Sequence, residues 1–123
     1  MAIAKVKSVD LGNLIFDNGF VLYGENEQLY WEDQYLDFGV FKVEDFDGLL
    51  FDFNHPKEGR YFERAEGVGI KLLPINGEPI IVLGHSNCDV CATNFKLILE
   101  TGYNEACEFK INNCYQINYE SDL

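Results

Sequence analysis

Four cysteines are the residues in this chain whose type and spacing best suit metal chemistry. Cys88 and Cys91 form a Cys-x-x-Cys pair, fifteen residues separate Cys91 from Cys107, and six separate Cys107 from Cys114. A structural zinc ion takes four such ligands in a tetrahedron, and His85 could substitute for one of them. The second pair lacks the spacing of a zinc knuckle, and Cys114 lies in a β alternation, where a buried thiol acts as a small hydrophobic residue. We therefore expect no cofactor, and a zinc-stabilised structural module stays open as an alternative.

The other motifs do not assemble a catalytic or ion-binding set. Residues 45–48 read Asp-Phe-Asp-Gly, like the start of a calcium loop, but Pro56 stands where that loop needs a bidentate glutamate. A redox role for Cys88 and Cys91 would need a helix N-terminus that lowers the pKa of a thiol, which the sequence does not indicate. His55 is a lone loop histidine with no adjacent nucleophile. We therefore predict that the protein is not an enzyme.

Acidic charge is the strongest chemical signal in the chain. The net charge is −12 over 123 residues, and residues 8–56 hold eleven acidic side chains beside a single base, Lys42. Residues 20–53 also contain ten of the eighteen aromatic residues, so this stretch is too apolar to be a solvated tail. A folded acidic surface repels phosphate backbones and attracts basic protein surfaces within a Debye length of roughly 8 Å.

This charge pattern predicts a protein partner rather than a nucleic acid. The nine basic residues are dispersed among twenty-one acidic ones, which disfavours direct nucleic-acid binding. A folded array of carboxylates can instead present negative charge to a basic groove, as a phosphate backbone would. Solubility alone is the alternative explanation for the charge.

We expect aromatic anchors at Tyr30, Trp31 and Tyr35. The carboxylates expected to contact the partner are Glu25, Glu27, Glu32, Asp33, Asp37, Glu44, Asp45 and Asp47.

Turn residues and alternating apolar residues predict the elements that hold these side chains. Asn-Gly pairs at 18–19 and 76–77 each predict a tight hairpin, the first between strands 14–16 and 20–23, the second between strands 69–75 and 79–83. Alternation predicts two further strands, at 94–100 and 108–119. Residues 29–38 fit a short helix or an irregular strand, residues 41–48 suggest a turn, residues 49–53 a strand, and residues 55–60 a surface loop.

The expected fold is one globular domain, residues 1–123, of the β-rich α+β class. Antiparallel hairpins would form one sheet or a small sandwich, with at most a short helix. No apolar run approaches the roughly 20 residues needed to cross a bilayer, and the first residues lack a signal-peptide pattern. We therefore expect a cytoplasmic protein that contacts no membrane. The sequence does not set its oligomeric state.

Several segments resemble an uncharacterised family of small proteins encoded by phages and prophages. Asp17-Asn18-Gly19 is similar to the family's DNG hairpin, residues 69–77 to its GI-L-PING hairpin, residues 94–99 to its L-L-L strand, and residues 111–114 to its terminal I-T-E-C-Q motif. The order of the motifs agrees along most of the chain. The resemblance implies a phage or prophage accessory protein that acts in the host cytoplasm.

Two segments depart from the family pattern. Residues 26–32 replace the family's H-E-Q-D-C-C-E segment, of which Glu27, Gln28 and Glu32 survive, and residues 86–91 replace a segment rich in asparagine, glycine and tyrosine. Any thiol or metal chemistry of relatives would therefore not carry over to residues 26–32. The expected role is inhibition of a host nucleic-acid-handling defence protein, as anti-CRISPR proteins do. The alternative is an oligomer that sequesters a nucleotide signal, for which the clustered cations are Lys57, Arg60 and Arg64.

Overall fold

The structure is a computed structural model. It describes residues 3–25, 27–29, 32–55, 57–65, 68–86, 95–102, 105–111 and 115–116. For residues 25, 27–29, 32–35, 85–86, 95, 110–111 and 115–116 the description covers the backbone. The strands in chain order are β1 (Ile3–Ala4), β2 (Val6–Asp10), β3 (Asn13–Phe16), β4 (Val21–Glu25), β5 (Glu27–Leu29), β6 (Glu32–Leu36), β7 (Phe51–Asp52), β8 (Phe62–Ala65), β9 (Gly69–Leu72), β10 (Ile80–Ser86), β11 (Phe95–Gly102), β12 (Glu105–Ile111) and β13 (Tyr115–Gln116).

These strands form three sheets in the described part of the chain. A five-stranded antiparallel sheet has the order β12-β11-β4-β3-β2, and β1 pairs with β7 in a two-stranded sheet. The six-stranded sheet has the order β5-β6-β10-β9-β8, and β13 pairs in parallel with the end of β10. Strand β10 joins this sheet together, because its first half pairs with β9 and its last three residues pair with β6.

The sheet pairings confirm the predicted β-rich fold with antiparallel hairpins, divided among three sheets rather than one. The helical alternative for residues 29–38 is wrong for the described residues, because Leu29 ends β5 and residues 32–36 form β6. The only helical segment described is a 3₁₀ turn, Val43–Phe46, within the predicted turn at residues 41–48. The predicted strand at residues 49–53 is shorter, as β7, and residues 54–60 form an exposed loop where described. No helix in the described ranges is long and apolar enough to cross a membrane.

The first predicted hairpin is confirmed by the pairing of β3 with β4. Gly19 has a φ of +90° and donates its N–H to the carbonyl of Phe16 at 3.0 Å, while Asn18 Oδ1 accepts the N–H of Phe20 at 3.0 Å. The loop therefore contains the three residues Asp17, Asn18 and Gly19. Its conformation follows from residue types next to one another in the sequence, since asparagine and glycine tolerate this turn.

The second predicted hairpin exists as β9 and β10, but its tight Asn-Gly turn and the strand to residue 75 are wrong. Strand β9 ends at Leu72 and pairs with Ile80, which leaves residues 73–79 as a wide loop. The N–H of Leu73 donates to the carbonyl of Tyr61, and the N–H of Ile75 donates to the carbonyl of Leu50. Hydrogen bonds to distant segments therefore open the loop.

The third predicted pair of strands is confirmed as β11 and β12, with altered ends. Strand β12 begins at Glu105 and pairs with β11 from Gly102 back to Phe95. The predicted strand 108–119 is wrong in its length, because β12 ends at Ile111 and β13 pairs instead with β10.

The core is built around aromatic side chains. Phe16, Phe51 and Phe53 are buried, and the rings of Phe16 and Phe53 meet edge to face at 4.8 Å. Tyr61 packs on Phe53 at 5.0 Å, and each such pair adds about 0.5–1.5 kcal/mol to the free energy of burial. Seven aromatic residues of the acidic stretch, residues 8–56, lie in this core or against it, namely Phe16, Phe20, Phe38, Phe41, Phe46, Phe51 and Phe53. Much of the aromatic content of the acidic stretch therefore stabilises the fold.

A close approach of two strands brings the large sheets together. A Cβ atom at Gly24 in β4 would lie 2.9 Å from the Cβ of Leu36 in β6. Glycine at this position therefore lets Leu36 pack directly on the backbone of β4. Leu36 is buried, so this contact contributes apolar area to the core between the sheets.

Candidate partner-binding surface

The first group of predicted contact residues lies on a hairpin at a sheet edge. The backbone pairs Glu27 with Gln34, Gln28 with Asp33, and Leu29 with Glu32. Strand β5 forms the edge of the six-stranded sheet in the described chain. The structure therefore brings the backbones of three predicted acidic residues, at positions 27, 32 and 33, into one two-stranded unit.

The second group lies on the acidic turn, which we define as residues 43–47. Phe46 is buried among the rings of Phe41, at 5.3 Å, and Phe51, at 6.5 Å. Glu44 and Asp47 flank this anchor and are exposed. Because a buried ring holds the segment on its inner side, the carboxylates of Glu44 and Asp47 are displayed from an ordered backbone. This turn packs against β2, so it lies on a different sheet from the hairpin β5–β6.

Three acidic side chains in the same stretch hold local structure. Asp45 Oδ2 accepts the N–H of Lys42 at 2.8 Å, which closes the acidic turn. Asp17 Oδ1 accepts the N–H of Lys5 at 3.3 Å. Asp52 Oδ1 accepts the backbone N–H of Asn54 at 2.9 Å, and this hydrogen bond holds the pKa of the Asp52 carboxyl below its ordinary value. Part of the acidic composition therefore shapes turns and loops.

The remaining predicted contact residues are dispersed. The backbone of Glu25 ends β4 and pairs with Lys96. Tyr35 lies on β6, beyond the residues that pair with β5, and its backbone pairs with His85. Asp37 follows β6, is half-buried, and donates its N–H to the carbonyl of Leu83 at 2.7 Å. The predicted anchors Tyr30 and Trp31 lie outside the described residues. The structure thus divides the predicted surface into a hairpin, a turn and separate positions.

The zinc alternative stays a prediction, because three of its ligands, Cys88, Cys91 and Cys114, lie outside the described residues. Cys107 is half-buried in β12, where its backbone pairs with Leu99. Within the described ranges, no group of three or more histidine, cysteine or acidic side chains is placed to hold a metal ion.

The basic cluster predicted for nucleotide binding lies on and after an exposed loop. Lys57 and Arg60 are exposed, and the N–H of Arg60 donates to the carbonyl of Lys57 at 3.2 Å. Arg64 Nε lies 3.1 Å from Glu58 Oε1, and its N–H also donates to Glu58. Such an exposed ion pair contributes about 0–1 kcal/mol to stability. One of the three cations therefore already has a carboxylate partner, which weakens the case for a phosphate site.

A cleft and an exposed leucine were missed by the sequence-based prediction. Leu11 is 97% exposed at the turn between β2 and β3, with a φ of +49°. Leucine is an uncommon turn residue, so only the following glycine hinted at this reversal. The adjacent cleft has a volume of about 280 Å³ and is lined by Leu11, Gly12, Asn13, Gly24, Leu36, Asp37, Phe38 and Gly39.

Comparison with known proteins identifies no relative of this chain. No family model matches this chain, and neither a curated protein nor a solved structure matches it significantly. The resemblance to phage and prophage proteins therefore stays a prediction. The chain displays carboxylates on the acidic turn and an exposed leucine beside the cleft.

Proposed function

We propose that this protein is a non-enzymatic binding protein that inhibits a basic protein partner. The observation that carries the proposal is the acidic turn, where the exposed Glu44 and Asp47 flank the buried ring of Phe46. The hairpin β5–β6 adds acidic positions on a second ordered element. Together these elements hold much of the acidic surplus of residues 8–56 on folded backbone.

Ordered carboxylates favour binding for a physical reason. The closing hydrogen bond from Lys42 N–H to Asp45 and the packing of Phe46 restrict the acidic turn before a partner arrives. A preorganised segment loses less conformational entropy on binding than a flexible tail does. Complementary charge also accelerates encounter and discriminates against acidic partners. The expected partner is therefore a protein with a groove lined by lysine and arginine.

A nucleic-acid-handling host protein is the partner class that fits this charge best. Such a protein carries a basic groove for a phosphate backbone, and a carboxylate array competes for the same cations. The resemblance to phage and prophage proteins agrees with a role in the host cytoplasm against a defence protein, including a CRISPR effector. Occupation of the groove would block nucleic acid from binding.

The test compares capture of host proteins by the full chain and by neutralised variants at several salt concentrations. One variant carries Glu44→Gln with Asp47→Asn, and a second carries Glu32→Gln, Asp33→Asn and Asp37→Asn. We expect the wild type to retain a nucleic-acid-binding protein. Each variant should bind that protein with an affinity at least about tenfold lower. Binding by the wild type should also weaken as salt rises.

The matched control removes three acidic charges elsewhere, through Glu78→Gln, Glu105→Gln and Glu108→Gln at exposed positions. This control should keep most of the affinity, since it leaves the acidic turn and the hairpin β5–β6 intact. Equal loss in the control and in the two variants would mean that total charge alone matters. Such a result would remove the basis for a specific acidic surface.

A further inference from the structure

Leu11 occupies a turn position that ordinarily belongs to asparagine, aspartate or glycine. Asp10 in β2 pairs with Asn13 in β3, so Leu11 and Gly12 are the two loop residues of this hairpin. Both have positive φ, +49° for Leu11 and +82° for Gly12, as in a type I′ turn. Among the described residues other than glycine, Leu11 alone has positive φ. A leucine in this conformation is strained, because its Cβ crowds the backbone.

Folding gains nothing that would offset this strain. The side chain of Leu11 is 97% exposed, so it buries almost no apolar surface in the free protein. An asparagine would satisfy the same turn at lower conformational cost. A large apolar residue that is both strained and exposed is therefore better explained by contact with another molecule than by folding.

The surroundings of Leu11 indicate the chemistry of that contact. Val40 is 65% exposed and follows Gly39, which lines the same cleft as Leu11. Two acidic residues lie near the cleft, since Asp10 precedes Leu11 in the chain and Asp37 lines the cleft. The site thus combines exposed apolar side chains with carboxylates, next to a concave space of about 280 Å³.

We propose that Leu11 and Val40 are the apolar contact point of the partner-binding surface. The occupant is a protein segment in which apolar and basic side chains alternate. Its apolar side chains would pack on Leu11 and Val40, and its cations would lie beside Asp10 and Asp37. This inference rests on the proposed function and refines it, because a charge mimic alone would need no apolar side chain in the partner.

Two synthetic octapeptides of equal charge test this inference. One alternates lysine with leucine and the other alternates lysine with serine, and each is titrated against the full chain by calorimetry. We expect the wild type to bind the lysine–leucine peptide about tenfold more tightly than the lysine–serine peptide. Leu11→Asn should abolish this preference while leaving the weaker, charge-driven binding unchanged. Val40→Ser, at a position without positive φ, should also reduce the preference.

Thermal unfolding of the same variants separates a binding role from a structural one. Leu11→Asn should raise the melting temperature by about 3–6 °C, because asparagine relieves the strained turn. Leu11→Asn would then raise stability while it removes the preference for the lysine–leucine peptide. A purely structural role for Leu11 does not predict these opposite changes. Ile75→Asn is the matched control, since Ile75 is 57% exposed in the loop between β9 and β10. This control should preserve the preference for the lysine–leucine peptide.

The outcomes distinguish this inference from the proposed function. Equal binding of both peptides to the wild type would overturn the apolar contact and leave the acidic surface as the binding determinant. An unchanged preference in Leu11→Asn and Val40→Ser would also overturn it. Failure of both peptides to bind the wild type would contradict the proposed function together with this inference.

Discussion

The side chain of Asn76 is tied to the backbone of Leu50, because Asn76 Oδ1 accepts the Leu50 N–H at 2.9 Å. Asn76 Nδ2 also donates to the carbonyl of Gly48 at 2.8 Å, and the N–H of Ile75 donates to the carbonyl of Leu50 at 2.8 Å. These hydrogen bonds attach the loop between β9 and β10 to the segment that directly follows the acidic turn. The position of the acidic turn therefore depends on a loop nearly thirty residues away in the sequence.

Replacing Asn76 with alanine removes both side-chain hydrogen bonds and leaves those of the backbone. We expect Asn76→Ala to lower the free energy of unfolding by about 1–2 kcal/mol, measured by urea denaturation. Asn76→Asp should cost at least as much, because it keeps the acceptor for the Leu50 N–H but turns a carboxylate oxygen toward the carbonyl of Gly48. The control is Glu78→Ala, at an exposed position in the same loop, which should change stability by less than about 0.5 kcal/mol.

The hydroxyl of Tyr61 is expected to destabilise the core. Tyr61 is fully buried, and its hydroxyl lacks a hydrogen-bond partner in the described part of the chain. Burying an unpaired hydroxyl costs about 1–3 kcal/mol. Tyr61→Phe should therefore leave stability unchanged or raise it by up to about 2 kcal/mol in urea denaturation. Tyr61→Leu is the contrasting variant, because it removes the ring contacts with Phe53 and Phe62 and should destabilise the protein. A clear loss of stability in Tyr61→Phe would show that the hydroxyl is satisfied.

The same tyrosine predicts a loss of stability at alkaline pH. Burial raises the pKa of Tyr61 well above its ordinary value, and nearby Cys107 adds to this effect. Above a pH of about 10 the unfolded chain releases the phenol proton that the folded chain retains. The free energy of unfolding should then fall by up to about 1.4 kcal/mol per pH unit from this group.

Tyr61→Phe lacks this titrating group and so isolates its contribution. The stability of the variant relative to the wild type should increase as the pH rises from about 9.5 to 11, measured by urea denaturation at each pH. Below a pH of about 9 the difference should be constant, because the phenol stays protonated in both states. A difference that does not change with pH would contradict a raised pKa.

Gly69 is predicted not to tolerate even the single methyl group of alanine. Its φ is +147°, and a Cβ atom would overlap the carbonyl oxygen of Val82 and lie 2.6 Å from the nitrogen of Gly84. Because both neighbours are backbone atoms of β10, Gly69→Ala should destabilise the protein by about 2–4 kcal/mol. Gly59→Ala is the matched control, since Gly59 also has positive φ but no atom near the added methyl. It should cost about 1 kcal/mol, and equal losses would argue against the clash.

Local turn chemistry explains which hairpins were predictable. The loop at Asn18 and Gly19 formed as expected, because the residues that define it are neighbours in the sequence. The second Asn-Gly pair predicted the reversal but not its shape, since Asn76 bonds to Leu50 and Gly48 instead of closing a tight turn. The hairpin at Leu11 was missed because its first loop residue is one that turns seldom contain.

By itself, the sequence determined a β-rich antiparallel fold and a concentrated acidic charge, because strand alternation, turn residues and charge are local properties. Only the tertiary structure decided which acidic and aromatic side chains are displayed. Asp45 and Asp52 accept hydrogen bonds that shape their own segments, whereas Glu44 and Asp47 flank a ring that the core buries. Burial depends on which strands meet, and those contacts join residues that are distant in the sequence.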